Sequence, residues 1–375
     1  MIIKKIYKLI LYLIIHGYEV TYVKSVAYLK FNSIRKKEIN NSFTTLKINN
    51  QAQTKYNIAI IGCGNFSFTN IAFYLTKYAK INIKYSFDKD LKKALILSKY
   101  FKGEFATNEF NKILDDDSIN KFFIATNHQS HFNYAKKILL ARDKPEIHIE
   151  KPHVVNFKQY YQLKKLLLSN NKSKIYIGFN RPYSKIFSKI KNFINLKQSY
   201  LINISVFGHI LEKKHWYYEK KEGGRIIGNL SHWIDLCIHI LGVNNIYPYE
   251  INPMYTDKYE DVVYFSINFK KYNSLAMIKF NAKKNDLLGV RENIEFNVSN
   301  HKIKIQDFNQ LFITSNNSEK KFGNYKKFLG HKENILNSFN NTKKVDKNYI
   351  FVSAKLFLSV KQAFESNKKI KVTSN

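Results

Sequence analysis

The chain has 375 residues, which is longer than one hydrophobic core usually extends, so we expect two domains. Hydrophobic residues make up 45% of it and aromatic residues 15%, which excludes a wholly disordered chain. The formal net charge of +34 comes almost entirely from scattered lysines without a nucleic-acid motif, so we predict no nucleic-acid partner.

Residues 1–55 read as a helical N-terminal extension and linker. Residues 1–15 are apolar with three lysines among them, and the uninterrupted apolar run after Lys8 is seven residues long. A bilayer span needs about 20 apolar residues. The pattern instead favours a basic amphipathic helix that lies on a membrane surface or docks on the protein's own body. We predict a helix pair, with peripheral membrane contact through residues 1–30 as an open alternative, and a polar linker from Arg35 to Lys55.

Strands and helices alternate over residues 56–178. The predicted strands and helices, in chain order, are Ile58–Ile61, Thr69–Tyr78, Ile81–Phe87, Leu91–Tyr100, a brief strand and short helix within Phe105–Asp117, Lys121–Thr126, Phe132–Ala141, Glu146–Ile149, Phe157–Leu168 and Lys174–Phe179. Such alternation predicts an α/β domain with a doubly wound parallel sheet of the Rossmann type.

The pattern changes to a period near two in residues 179–345. Five runs predict a mostly antiparallel open sheet: Tyr200–Gly208, Asp261–Phe269, Ser274–Asn281, Asn293–Val298 and Lys302–Gln306. Helices are predicted over Asn229–Leu241 and Tyr325–Ser338, so this part is an α+β domain for substrate binding and oligomerisation. Residues 346–375 are predicted as a C-terminal helix, Tyr349–Ser366, and a tail.

A glycine-rich turn follows the first predicted strand of residues 56–178. Gly62 and Gly64 occupy the first two positions of a G-x-G-x-x-G pattern, and Ser67 takes the third. The first glycine permits a tight turn, the second lets the backbone approach a pyrophosphate, and a small third residue packs helix on strand. The helix N-terminus, with Asn65 and Phe66 in its first turn, would offer free N–H groups to the phosphates. This segment therefore predicts dinucleotide binding.

The second strand supports the same prediction. It ends at Asp88, 24 positions after Gly64, where a carboxylate would accept hydrogen bonds from the adenosine ribose. A carboxylate repels a 2′-phosphate, so we predict NAD as the cofactor. Lys89 is adjacent and leaves NADP as an alternative.

Four further segments resemble the Gfo/Idh/MocA family, the glucose–fructose oxidoreductase and inositol dehydrogenase group. They are Thr126–His131, Glu150-Lys151-Pro152, Gly178–Arg181 and Gly223–Asp235, and the resemblance covers residues 57 to 370. Two residues of the first segment depart from the family's usual T-P-N-x-x-H, since Asn127 replaces proline and His128 replaces asparagine.

The resemblance implies site residues. Lys151 would be the active-site lysine of the E-K-P motif, and His232 the histidine of the H-x-x-D pattern. The turn after the fourth strand would lie beside the ribose and nicotinamide. The cofactor-binding set predicted in this way, beyond the glycine turn and Asp88, is Thr126, Asn127, His131, Glu150 and Lys151. One departure matters: Gly228 stands where many members have an aspartate, four residues before His232.

These residues suit the oxidation of an alcohol. The nicotinamide supplies the hydride chemistry, while the protein removes the hydroxyl proton. Histidine has an ordinary pKa of about 6.5, which suits a general base, and a lysine can stabilise developing negative charge on the oxygen. We therefore predict His232 as base and Lys151 as electrostatic partner. The alternative, in which burial lets Lys151 act as the base, stays open.

The expected function is that of an NAD(P)-dependent oxidoreductase acting on a hydroxyl or keto carbon of a sugar. A nucleotide-activated sugar for surface polysaccharide synthesis is the favoured class, because a basic protein attracts phosphate-bearing substrates. Predicted substrate-binding residues are Arg181, Trp216, Asn229 and Asp235. The rival hypothesis is a non-catalytic sensor or regulator of the same fold, which the absence of an acidic residue at Gly228 would favour.

The remaining expectations concern metals, location and assembly. Cys63 and Cys237 have no metal or redox spacing, so we expect no disulfide and a cytoplasmic protein, with membrane association through its N-terminus as an alternative. His232, Asp235 and His239 share a helix face, but no further ligand cluster is near in sequence, and we predict no metal. The open sheet favours a homo-oligomer.

Overall fold

The computed structural model describes residues 2–34, 44–49, 57–194, 197–283, 289–316, 318–323, 326–342 and 346–374. Two sheets organise these residues, one of seven strands and one of nine. The sequence prediction of an N-terminal Rossmann sheet followed by a mostly antiparallel sheet is confirmed.

The first sheet is parallel except at one edge, where β1 runs antiparallel to β4. Its strand order is β1-β4-β3-β2-β5-β6-β7. The strands are β1 (Thr45–Lys47), β2 (Asn57–Ile61), β3 (Ile83–Phe87), β4 (Phe105–Thr107), β5 (Ile119–Ile124), β6 (Glu146–Ile149) and β7 (Lys174–Ile177). The helices of this part are α2 (Phe73–Tyr78), continuous with a π-helical turn over Ser67–Ala72, α3 (Leu91–Phe101), α4 (Asn111–Leu114), α5 (His128–Ala141) and α6 (Phe157–Ser169).

The strand order of the first sheet determines where a ligand-binding crevice can form. Ile58–Ile61 and Phe122–Ile124 are buried, because the central strands β2 and β5 are covered on both faces. The sheet winds one way from β2 through β3 to β4 and the other way from β5 through β6 to β7. Ligands of doubly wound sheets bind where the winding reverses, at the carboxyl ends of the strands. The turns after β2, β5 and β6, which carry the sequence motifs, all lie at that edge.

The second sheet has the order β15-β14-β13-β12-β8-β11-β10-β9-β16, and all its pairs are antiparallel except β8 with β11. Its strands are β8 (Leu201–Phe207), β9 (Tyr249–Thr256), β10 (Val262–Phe269), β11 (Ser274–Asn281), β12 (Arg291–Val298), β13 (His301–Gln306), β14 (Gln310–Ser315), β15 (Ser318–Gly323) and β16 (Ile370–Val372). Buried and more exposed residues alternate along β8 and β12, as expected when one face packs on a core.

Four helices connect the two sheets. They are α7 (Lys185–Ile190), α8 (Ser231–Leu241), α9 (His331–Asn340) and α10 (Lys347–Ser366). The predicted helix at Asn229–Leu241 is therefore present, and the one predicted from Tyr325 begins at His331 among the described residues. Helix α9 packs on α2 of the first domain, while α10 packs on α6, α8 and β9. These helices fix the second sheet relative to the carboxyl edge of the first.

The N-terminal helix α1 (Ile2–Ile34) is kinked at Gly17, where φ is +79°, so it consists of two helical halves as predicted. Its second half docks on the protein itself, because Val23 and Ala27 are buried in a cluster with Phe68 and Ile96. Glu19 pairs with Lys77. No helix in the described part of the chain is both long and apolar enough to cross a bilayer.

The sequence-based assignment of strands was incomplete. Within the predicted polar linker, Thr45–Lys47 forms the edge strand β1. Residues 35–43 and 50–55 of that linker lie outside the described residues. Strands β9, β14, β15 and β16 were also not predicted. The burial pattern of β15 explains one of these omissions, since this strand is almost entirely exposed and carries no alternating apolar pattern.

Candidate active site

The glycine turn has the geometry that its sequence predicts. Gly62 has a φ of +89°, and a Cβ there would lie 2.4 Å from the carbonyl oxygen of Ala125, so only glycine fits. At Gly64 an added Cβ would meet nothing within 4 Å, so the space in front of this backbone is open. Ser67 is buried and donates a hydrogen bond to the Gly62 carbonyl. The serine in the third position thus stabilises the turn from inside.

Asp88 lies beside this turn. Its Oδ2 accepts a hydrogen bond from the Cys63 N–H at 2.8 Å, and its Oδ1 accepts one from the Asp90 N–H at 3.0 Å. The carboxylate is half-buried at the end of β3. Each carboxylate oxygen can accept more than one hydrogen bond, so ribose hydroxyls can still bind here. With the open backbone at Gly64, these residues fit the adenosine and pyrophosphate of a dinucleotide.

Lys151 reaches from the end of β6 to the second domain. Its Nζ donates a hydrogen bond to the carbonyl oxygen of Gly228 at 2.6 Å. Burial lowers the pKa of Lys151 to about 8, with the nearby Arg181 acting in the same direction and Glu150 opposing it. At neutral pH most Lys151 side chains therefore still carry a proton.

His232 lies four residues beyond Gly228, in the first turn of α8. Burial lowers its pKa well below the ordinary value, and the positive charges of Arg181 and Lys151 add to that shift. Its ring is therefore neutral at pH 7. Within the described part of the chain, its Nδ1 and the Oδ1 of Asn229 are buried without a hydrogen-bond partner. Such unsatisfied atoms are costly unless a ligand or water binds them.

Two of the departures from the family pattern, His128 and Gly228, contact each other. A Cβ on Gly228 would lie 2.5 Å from Cε1 of His128 and 3.1 Å from Tyr217. The His128 ring thus fills the space that a side chain at position 228 would need. Trp216 packs against the same ring, with the centroids 4.6 Å apart, and is half-buried. Trp216 therefore forms part of the wall around His128.

Glu222 joins the two domains and was not identified from the sequence. Its carboxylate accepts hydrogen bonds from the Asn127 side chain at 2.6 Å and from the Gln129 N–H at 3.0 Å. Its carbonyl oxygen lies 3.0 Å from Nδ1 of His128, which must donate this bond. The amide of Asn127 is therefore engaged with the second domain. An acidic residue before Gly223-Gly224 was the one available signal for this contact.

His131 fixes the turn after β5 beside the lysine. Its Nδ1 lies 2.8 Å from the Pro152 carbonyl oxygen and its Nε2 lies 3.0 Å from that of Thr126. Burial lowers the pKa of His131. A neutral ring has one N–H, so it donates to one of these carbonyls at a time. His131 thus positions Thr126 and the Lys151 segment.

Glu150 is buried rather than exposed to the crevice. Its Oε1 lies 3.1 Å from Nε2 of His148, whose Nδ1 is 2.8 Å from the Ser338 hydroxyl on α9. A Cβ on Gly178 would lie 2.5 Å from the Glu150 carboxyl carbon, so Gly178 provides the room for this carboxylate. In this position Glu150 connects β6 to α9, and its charge favours the protonated form of the adjacent Lys151.

Two predicted substrate-binding residues are engaged elsewhere. The guanidinium of Arg181 forms a bidentate pair with Glu292, at 2.7 and 2.9 Å, and lies over the Trp233 ring. The Arg181 and Lys327 charges hold the pKa of buried Glu292 down at about 2 against the effect of burial. Breaking such a buried pair would leave an uncompensated charge. This placement favours a structural role for Arg181 over the predicted substrate contact.

Asp235 is placed in a similar way. It is buried, and its Oδ1 accepts hydrogen bonds from the Tyr349 hydroxyl at 2.6 Å and the Ser353 hydroxyl at 3.1 Å. His239 lies 3.4 Å from its other oxygen. These partners tie α8 to α10 and leave the carboxylate little access to a substrate. In the described residues no group of three or more His, Cys, Asp or Glu side chains could hold a metal ion.

His331 is a further neighbour of the site that the sequence did not indicate. It begins α9 after Gly330, whose Cβ position would lie 2.3 Å from the Asn180 carbonyl oxygen. Its ring contacts Phe66 of the glycine turn at a centroid distance of 5.5 Å. Burial lowers its pKa to about 4, with Glu150, Arg181, Lys24 and Lys151 as its charged neighbours. Only the fold brings this residue to the crevice.

Comparisons with known proteins agree with this geometry. Residues 56–179 match the model of the oxidoreductase family with an NAD-binding Rossmann fold, Gfo/Idh/MocA. No curated protein matches the chain.

Solved structures share the fold over most of the chain. An oxidoreductase from Desulfitobacterium hafniense, described as NADPH-dependent, is 14% identical with a TM-score of 0.71, covering 85% of this chain and 98% of its own. GenD2 from gentamicin A biosynthesis, solved with NAD, is 14% identical with a TM-score of 0.69, covering 87% and 99%. A protein described as a myo-inositol dehydrogenase from Sinorhizobium meliloti is 14% identical with a TM-score of 0.67, covering 85% and 100%.

The glycine turn, the acidic residue after β3 and the family match together identify residues 56–179 as a domain of the Gfo/Idh/MocA oxidoreductase family with its NAD-binding Rossmann fold.

Proposed function

We propose that this protein is an NAD-dependent oxidoreductase that acts on a hydroxyl or keto carbon of a sugar. The observation that carries the proposal is the meeting of a protonated lysine and a neutral histidine at the carboxyl edge of the dinucleotide sheet. Lys151 is hydrogen-bonded to the carbonyl oxygen of Gly228, and His232 lies one helical turn after Gly228. An alcohol between them would meet one proton acceptor and one cation.

The two residues divide the work in this proposal. When bound, the nicotinamide supplies the hydride acceptor. Neutral His232 accepts the proton of the substrate hydroxyl, and protonated Lys151 donates a hydrogen bond to the same oxygen as negative charge develops on it. In the reducing direction His232 returns its proton to the carbonyl oxygen. Asn229, whose Oδ1 is buried without a partner among the described residues, would accept a hydrogen bond from a neighbouring sugar hydroxyl.

The pH dependence distinguishes this division from its alternative. As electrostatic partner Lys151 must be protonated, so kcat/KM for alcohol oxidation should fall as pH rises through about 8. If Lys151 were the base, kcat/KM would rise through the same range. The lowered pKa of His232 predicts no loss of activity just below pH 6.5. A profile of kcat/KM against pH, in buffers of constant ionic strength, tests both the change near pH 8 and the absence of a loss just below pH 6.5.

Cofactor preference depends on Asp88 in this proposal. Asp88→Ala should weaken NAD binding by about tenfold, since it removes charge-assisted hydrogen bonds to the ribose, and should weaken NADP binding less. Asp88→Asn is the matched control, because its amide oxygen can still accept the Cys63 N–H that orders the turn. Titration by nicotinamide fluorescence gives both affinities. A larger loss for NADP than for NAD would overturn the preference, and no binding of either cofactor to the wild type would overturn the proposed function.

A nucleotide-activated sugar used in surface polysaccharide synthesis is the substrate class we favour. The support is the net charge of +34, which attracts phosphate-bearing molecules, and the half-buried Trp216, whose ring can stack on a sugar. Turnover with a panel of free and nucleotide-linked sugars tests this choice. Faster turnover of the free sugars would contradict it.

A non-catalytic sensor is the second candidate. Gly228 offers no carboxylate, and His128 fills the space beside it. A sensor would bind NADH yet show no turnover with any sugar, whereas an enzyme would lose turnover on substitution of His232.

We also propose that the first half of α1 contacts an anionic membrane surface. Six of its apolar side chains are 41–60% exposed, namely Ile6, Tyr7, Leu9, Ile10, Leu13 and Ile14, and lysines lie among them in the sequence. Deletion of residues 2–14 should abolish co-sedimentation with phosphatidylglycerol vesicles. Equal binding of the shortened protein, or equal binding to phosphatidylcholine vesicles, would contradict the proposal.

A homo-oligomer that pairs through the nine-stranded sheet is proposed as the assembly. Leu201 and Phe207 are 43% and 47% exposed on the outer face of β8. Analytical ultracentrifugation tests this; a monomer at micromolar concentration would contradict it.

A further inference from the structure

A cavity of about 510 Å³ lies beside the glycine turn, between α1, the helical segment 65–78 and the start of α9. Its volume falls within the usual range of small-molecule sites, about 300–1,000 Å³. Asn65 and Phe66 form one side, and residues 16–20 of α1 form the opposite side. Residues 326–333 line the side of the cavity nearest to Lys151, since His331 belongs to this lining and also neighbours Lys151 and Glu150.

The charge of this cavity is predominantly positive. Its lining includes Lys24, Lys185, Lys326, Lys327 and Lys332, against Glu19 and Glu333, and of these lysines Lys327 is paired with Glu292. Glu19 is already paired with Lys77 and the Tyr78 hydroxyl. The pKa of His16 in the wall is lowered to about 4, by burial first and then by Lys24 and Lys327. A cleft lined mainly by cations favours an anionic ligand.

Two further features suit a phosphate group attached to an aromatic body. Residues 331–333, the first turn of the ten-residue helix α9, line the cavity, and no side chain caps that helix. Its free N–H groups and partial positive charge add to the lysines. Aromatic rings line the remaining wall, among them Tyr18, which is 71% exposed, and Phe66. Such rings can stack on a nucleobase.

We propose that this cavity binds the nucleoside diphosphate part of the substrate, with the N-terminal helix as one wall. The proposal rests on the proposed function, since the attached sugar would extend past His331 towards Lys151 and His232. It assigns a role to α1 beyond its contact with helix α3. The wall formed by α1 is joined to residues 326–333 by a backbone hydrogen bond, which the Lys327 N–H donates to the Ile15 carbonyl oxygen at 2.7 Å.

The test is the binding of UDP to full-length protein already saturated with NADH, measured by isothermal titration calorimetry. UDP should bind, and the double substitution Lys24→Glu with Lys332→Glu should weaken it by about tenfold or more, because charge-assisted contacts become repulsive. The affinity for NADH should change by less than about twofold. Lys258→Glu is the matched control. Like Lys332, Lys258 lies over a tyrosine ring, but neither it nor its partner Tyr259 lines this cavity.

Three results would overturn the proposal. The first is that UDP at millimolar concentration fails to bind the NADH-saturated wild type. The second is that NADH displaces bound UDP, which would mean that the cavity is part of the dinucleotide site. The third is equal affinity for UDP and inorganic pyrophosphate, which would mean that the cavity does not recognise the nucleoside. Each outcome differs from failure of the proposed function, in which NADH itself does not bind or turnover survives loss of His232. Deletion of residues 2–33 adds a second measurement: loss of UDP binding with NADH binding retained supports the helix as a wall.

Discussion

Replacing Lys151 or His232 by alanine should lower kcat by about a hundredfold or more while NADH binds with nearly unchanged affinity. The reason is that neither side chain contributes to the glycine turn or to Asp88, whereas both face the reacting oxygen in the proposed mechanism. Steady-state rates with sugar substrate and a fluorescence titration with NADH separate the two effects. The rates should fall far more than the affinity for the cofactor.

Conservative variants show which residue carries the proton. Lys151→Arg keeps the positive charge but cannot act as a base, so substantial activity in this variant would support the electrostatic role. His239→Ala is the control on the same helix, since His239 contacts Asp235 and Tyr349 and has no role in the proposed mechanism. Undiminished rates in both Lys151→Ala and His232→Ala would refute the roles given to these residues.

The fold of the first domain could be predicted because its signals are local. A short apolar run such as Ile58–Ile61 indicates a buried strand wherever it occurs, and Gly62 is required by a backbone conformation that only glycine adopts easily. Asp88 was found because it follows the second strand directly. The carboxyl ends of parallel strands share one edge of the sheet. The motifs after β2, β5 and β6 could therefore be expected to lie close together.

The roles of other residues depend on partners that are distant in sequence. Arg181 was a reasonable ligand for a diphosphate until the fold placed Glu292 within 2.7 Å of it. Asp235 likewise reaches Tyr349, 114 residues away. Glu222 and His331 carry no motif, and only the packing of the second domain brings them to the site. No periodicity or spacing encodes such pairings.

Positions 128 and 228 also show why a sequence alone does not reveal contacts between distant residues. In the sequence they are two separate departures from a family pattern, one in each domain. In the structure they are one contact, since the His128 ring occupies the space above Gly228. The lost carboxylate is therefore no evidence by itself of a lost activity. Any side chain at position 228 would overlap the ring of His128 on the facing helix.

Gly228→Asp alone should destabilise the protein by about 2–4 kcal/mol, because it overpacks the His128 contact and buries a carboxylate. His128→Asn alone should also destabilise it, since it leaves a gap beside Tyr217 and removes the bond to the Glu222 carbonyl. The double variant restores the usual family pair. Its free energy of unfolding should exceed that expected from adding the two single effects by at least about 1 kcal/mol.

Urea denaturation of the four proteins measures this coupling. Gly228→Ala with His128→Asn is the control, because it fills the same space without a charge. Additive effects would show that the two positions are independent and that the contact does not explain the glycine. A coupled pair whose double variant also raises kcat would further show that the family's carboxylate can serve His232 here. Coupling without any gain in kcat would mean that His232 and Lys151 suffice for the chemistry.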